Sequence, residues 1–230
     1  MARGSRPGSG GGGGFVRTSV TVQSGTTADL SDNPLRYGAD STPLSAGQRA
    51  AVEAQEKRRL SAKVEFAAVY DVSGNPIGTE CRGGRDSCNI PEHMLNTEGS
   101  VLTHNHPCGK GKEGILGGSF SEDDIDLFIT SSVSTMRASS AEGTYSMTKG
   151  AGFDGKGLMS YIGSVDSDAA DKHEQRCKSL TGLYESGRIS GADYDAGYTK
   201  SFNSYIVDMH NAFLSGQKEY HYTYGLEART

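Results

Sequence analysis

The stretch VLTHNHPCGKGKEGILGGSFSEDDI, residues 101–125, decides how the rest of the chain is read. Val101 to His104 has the look of a short buried strand. In extended backbone, residues two apart point to the same side, so His104 and His106 can converge on one ion. Neutral imidazole is a good zinc ligand, and a carboxylate completes a three-ligand set that leaves a fourth position open. Asp124, in the first turn of the following helix, supplies that carboxylate. The same residues also carry a plainer meaning. Ser121-x-x-Asp124 is a helix N-terminal capping arrangement, and Glu122 and Asp123 add negative charge at the positive helix end. An HxH pair taken alone carries little information.

Upstream, Ser45 followed by Gln48 has capping-box spacing and opens a helix from Ala46 to about Leu60. Val64 to Tyr70 alternates, with Val64, Phe66, Ala68 and Tyr70 on the expected core side and Glu65, Ala67 and Val69 on the other. Asp71–Asn75 (DVSGN) is turn chemistry, and Pro76 to Cys81 returns as a second strand. Pro91 opens a short helix through Leu95. Downstream, Ser121 to about Ser134 forms an amphipathic helix with the stripe Ile125, Phe128, Ile129 and Val133. Met136 to Thr148 is a hairpin turning at Glu142-Gly143, and Lys149–Gly157 is a loop. Two helical stripes follow. One runs through His173, Cys177, Leu180 and Tyr184; the other through Tyr194, Tyr198, Phe202, Tyr205, Met209 and Phe213, ending near Gly216. This spacing is what helix packing requires, so the aromatics read as packing surface.

The chain has 230 residues, no Trp and 34% hydrophobic residues, a low apolar content that its 32 glycines partly explain. Residues 4–14 (GSRPGSGGGGG) cannot form a packed core. Arg3, Arg6 and Arg17 take +3 of the formal net charge of −5, leaving −8 for the remainder. A folded part this acidic argues against a domain built to grip nucleic-acid phosphates. No apolar run reaches the length of a membrane helix and no signal peptide opens the chain, so the expected location is cytoplasmic. The four cysteines, Cys81, Cys88, Cys108 and Cys177, are too scattered for a disulfide framework.

HNHP followed by SxxDI, after a helix, a strand beginning with Glu and a hairpin, resembles the RadC-like branch of the JAMM/MPN/JAB metallopeptidase superfamily. Similar modules occur in phage head and tail proteins. The likeness covers roughly residues 44–150. It implies an α/β fold with a curved, mostly antiparallel sheet flanked by helices, to which this chain adds a C-terminal helical hairpin. It further implies Zn2+ held by His104, His106 and Asp124, with Ser121 hydrogen-bonding the reaction intermediate. Glu65 would be the general base toward a metal-bound water, with Glu80 the second choice. The expected activity is zinc-dependent hydrolysis of a peptide or isopeptide bond in a protein or peptide substrate.

The chain departs from the family pattern in two places. Seventeen residues separate His106 from Asp124, more than the pattern has, and the surplus fits an inserted surface loop. Cys108, directly after HNHP, would close the site if its thiolate became a further ligand. Two other functions share the fold: a catalytically idle scaffold or binding module in a phage particle or its assembly, and a RadC-like protein tied to DNA metabolism. A phage origin would put the protein in host cytoplasm or virion. The expected division is a Gly-rich tail, 1–43; the metallohydrolase domain, 44–163; and the helical hairpin, 164–230, an interaction or positioning element docking a protein partner and lying outside the active site.

Overall fold

The computed structural model describes residues 19–21, 27–29, 35, 44–85, 87–107 and 114–228. Cys108 and most of the 1–43 segment lie outside them. Two short antiparallel strands, β1 (Ser19–Thr21) and β2 (Thr27–Asp29), precede the main body, within the segment read from the sequence as a Gly-rich tail.

The main body is α/β, with a mixed, open six-stranded sheet and four helices. Its strands are β3 (Phe66–Tyr70), β4 (Cys81–Arg82), β5 (Val101–Asn105), β6 (Thr135–Ser139), β7 (Thr144–Lys149) and β8 (Tyr222–Glu227), ordered β4-β3-β5-β6-β7-β8. Each neighbouring pair is antiparallel except β5 with β6, which run parallel. That one parallel pairing needs a crossover, and helix α2 (Glu122–Thr130) supplies it. The hairpin expected over Met136–Thr148 is β6–β7. The expected return strand is short: an isolated bridge from Tyr70 to Pro76, then β4. No helix among the described residues is long and apolar enough to cross a membrane.

Helix α1 (Ala46–Arg59) begins at the Ser45/Gln48 capping box and contacts β3 and β5 on one face of the sheet. That interface is unusually polar. Arg137 of β6 is 1% exposed, with its Nε 2.7 Å from Glu56 Oε1 and Nη2 3.1 Å from Glu227 Oε2. Thr103 also donates to Glu56, at 3.2 Å. A buried guanidinium is tolerated because its N–H groups meet carboxylates in a planar fork.

The opposite face carries the main hydrophobic cluster. Ala67, Val69, Leu102, Met136, Ala138, Tyr145, Met147, Tyr224 and Leu226 point there from the strands. Ile125 and Phe128 of α2 cover them, together with residues of α3 (Gly155–Glu185) and α4 (Gly191–Gly216). The parity of β3 therefore differs from the expected one. Ala67 and Val69 face the larger core, and Ala68 turns toward the α1 side, because helices cover both faces and alternation no longer separates inside from outside.

The two C-terminal helices form the expected antiparallel pair, but α3 starts at Gly155, so the anticipated boundary at 163/164 falls inside one continuous helix. Leu158 and Ile162 precede it and Ala169, Val207 and Phe213 follow it, all in the same cluster. Strand β8, unforeseen from the sequence, then pairs with β7 over six residues. Tyr222, Tyr224 and Leu226 alternate with Thr223 and Gly225, a period-two signal confined to a few residues at the chain's end.

Candidate metal centre

His104 ends the buried part of β5 on the main-core face. Its register partner on β3 is Ala67, and on β6 it is Ala138. Small residues on both sides leave room for the imidazole. His106 lies just past the strand, with its N–H donating to Ser139 O at 2.8 Å. The i, i+2 spacing brings the two rings together: His104 Nε2 and His106 Nε2 are 3.1 Å apart.

Asp124 arrives from the first turn of α2, where capping and ligation turn out to be compatible. Its Oδ2 accepts from Ser121 N at 2.8 Å and from Ser121 Oγ at 2.7 Å, while its own N–H donates back to Ser121 Oγ. The capping box thereby fixes the carboxylate. Oδ1 lies 3.4 Å from His104 Nε2, and Oδ2 lies 3.9 Å from His106 Nε2. The three residues offer ligand atoms within 4.8 Å of one another. Atoms about 2.0–2.2 Å from a tetrahedral ion sit about 3.3–3.6 Å apart, so the observed separations suit one ion between them. This group could bind a metal ion.

The electrostatics point the same way. Burial opposes protonation of His104, but the Asp124 carboxylate outweighs it and the pKa is raised. Burial, with the neighbouring His104, lowers His106 to about 4. Burial works against ionisation of Asp124, yet the two histidines hold its pKa well below the usual carboxylate range. An anion, a neutral imidazole and a second imidazole therefore face one point at neutral pH.

His106 Nδ1 is 3.1 Å from Gly118 O. A carbonyl only accepts, so Nδ1 carries the proton and the Nε2 lone pair faces His104 and Asp124. Gly118, at φ +82°, occupies backbone that favours glycine. Its segment is clamped by Glu142, which is 2% exposed. Oε2 of Glu142 accepts from Gly117 N at 2.9 Å; Oε1 accepts from Gly118 N at 2.9 Å and Tyr145 Oη at 2.7 Å. In the sequence Glu142 looks like half of a Glu-Gly turn, and nothing there signals a partner more than twenty residues away.

Asn105, between the two histidines, also escaped notice. Its side chain accepts from Phe66 N at 2.9 Å and donates to Val64 O at 3.2 Å, brackets that hold the start of β3 against β5. Glu65 lies between those two points, and its backbone bonds to Gly83 and Gly84. Extending the Ala67–His104 register by two residues sets Glu65 level with His106 on the same face. Its charge contributes to raising the His104 pKa. Glu80, the alternative base, is engaged elsewhere. Hydrogen bonds from Arg59, Gln55 and Arg58 overcome the effect of its burial and pull its pKa down to about 2. Ser121 stands beside the cluster, its hydroxyl on Asp124.

His173 and His210 belong to helix packing. His173 Nδ1 is 2.9 Å from Ser201 Oγ, and His210 Nδ1 is 2.9 Å from Tyr224 Oη. No protein-family model matches the chain, and neither the curated proteins nor the solved structures yield a match.

Proposed function

We propose that the protein is a zinc-dependent hydrolase of the JAMM type that cleaves a peptide or isopeptide bond. The observation that carries this reading is the convergence of His104, His106 and Asp124 to within 4.8 Å, with Glu65 level with His106 on the same sheet face. Two imidazoles and one carboxylate are the donor set of an open catalytic zinc site.

Held there, zinc would act as a Lewis acid and lower the pKa of a coordinated water toward about 7. The chain's own residues account for the rest. Glu65 takes a proton from the attacking water as its oxygen bonds to the carbonyl carbon, then delivers a proton to the nitrogen as the C–N bond breaks. The products are a carboxylate and an amine. Asn105 positions Glu65 by pinning the backbone on either side of it. Ser121 orients Asp124, and its hydroxyl can donate to an oxyanion once it turns from that carboxylate.

The test is zinc content and turnover in parallel, with Glu65→Gln as the diagnostic variant. The expected outcome is one zinc per chain in both proteins, hydrolysis of peptide or isopeptide probes by the parent, and none by the variant. Failure of the parent to hold zinc would overturn the metal assignment. Zinc without turnover across a broad probe set would favour an idle scaffold.

A further inference from the structure

A cavity of about 200 Å3 opens beside the metal centre, with His106 and Ser121 at that end. It is smaller than the roughly 300–1,000 Å3 typical of pockets for whole small molecules, so its size suits one side chain. Phe120, Ile162, Ile206 and Met209, all buried, make its walls apolar. Asp166 of α3 and Tyr205 of α4 also line it, as does Glu122. Tyr205 Oη donates to Asp166 Oδ1. Among the described residues, no lysine or arginine lines the cavity and no ion pair joins Asp166 to a cation.

An apolar cavity with Asp166 and Glu122 in its wall, and no lysine or arginine among its described lining residues, complements a side chain that is apolar along its stem and positive at its tip. We propose that this cavity receives a lysine side chain of the substrate, adjacent to the bond cut at the metal centre, with Asp166 pairing the ammonium. Asp166 Oδ1 is already engaged by Tyr205, leaving one oxygen. That favours a compact ammonium over a guanidinium, which is best matched by two. Helices α3 and α4 supply one side of the pocket, so the C-terminal helices select the substrate instead of standing apart from the site. This inference deepens the hydrolase reading and rests on it for the word substrate; the pocket's preference does not depend on turnover.

The experiment measures binding, on zinc-loaded Glu65→Gln protein, of blocked peptides differing at one residue: lysine, norleucine (the same four-carbon stem without the ammonium), arginine or glutamate. Lysine should bind about tenfold more tightly than norleucine, the worth of one charge-assisted hydrogen bond. Asp166→Asn should erase that difference. Gly163→Leu should weaken every peptide while leaving the fold intact, because Gly163 lines the cavity and a Cβ there meets nothing within 4 Å. Equal binding of lysine and norleucine, tighter binding of arginine, or a lysine preference surviving Asp166→Asn would each overturn the proposal. A preserved lysine preference in a protein that hydrolyses nothing would instead fault the hydrolase reading and leave the pocket assignment standing.

Discussion

Replacing Glu142 with Ala should damage both the fold and the candidate metal centre, because Glu142 holds the segment that carries Gly118 O. Its carboxylate accepts from Gly117 N, Gly118 N and Tyr145 Oη, each at 2.9 Å or less. Alanine leaves three donors without that acceptor, and each unsatisfied buried group costs about 1–3 kcal/mol. Water entering the vacated space relieves part of this, which puts the loss near the low end, about 3–5 kcal/mol. A typical domain has about 5–15 kcal/mol of stability, so the variant should fold but melt early. The same clamp fixes Gly118 O, the acceptor that sets the His106 tautomer at 3.1 Å. Loosening such an outer partner lowers metal affinity by about 10–100-fold. Urea unfolding of metal-free protein gives the first quantity, and competition with a chromophoric zinc chelator gives the second. Glu142→Gln should fall between, since an amide offers one acceptor oxygen where the carboxylate offers two. Tyr145→Phe, which removes one donor together with its bond, should cost only about 0.5–1.5 kcal/mol and spare zinc affinity. A Glu142→Ala protein with the parental urea midpoint and parental zinc affinity would refute the reasoning.

Arg137→Met should cost about 3–5 kcal/mol by urea unfolding, because it leaves Glu56 without its cation beneath α1. Adding Glu56→Leu should recover most of that loss; no recovery would locate the cost in packing. For Glu80, the folded-state pKa of about 2 lies below the ordinary value of 4.5. Its contribution is therefore present above the unfolded-state value and disappears as pH falls from about 5 to about 2. Glu80→Gln should lower the urea midpoint at pH 7 and flatten the acid limb over that window; an unchanged limb would mean the arginine contacts carry no stability.

Several features were legible because they depend on residues close in sequence. The Ser45/Gln48 box starts α1, the Ser121/Asp124 box starts α2, and both need only a three-residue spacing. The convergence of His104 and His106 follows from the period of extended backbone. The β6–β7 hairpin and the α3–α4 pair came from local periodicity. Whether Asp124 caps a helix or faces the histidines could not be divided on sequence, since one carboxylate does both: Oδ2 takes the cap hydrogen bonds while Oδ1 approaches His104.

What the sequence by itself determined is thus the donor chemistry and the local elements that carry it. Tertiary structure alone decided the rest, because each remaining feature joins residues far apart in the chain. Covering both sheet faces reversed the expected parity of β3. Pairing β8 with β7 tied the C-terminal segment into the sheet. From the β6–β7 turn, Glu142 reached Gly117 and Gly118, and α3 and α4 closed a cavity against His106. Such contacts leave no periodic trace, since a hydrogen bond or a cavity wall constrains two sites in space without constraining the residues between them.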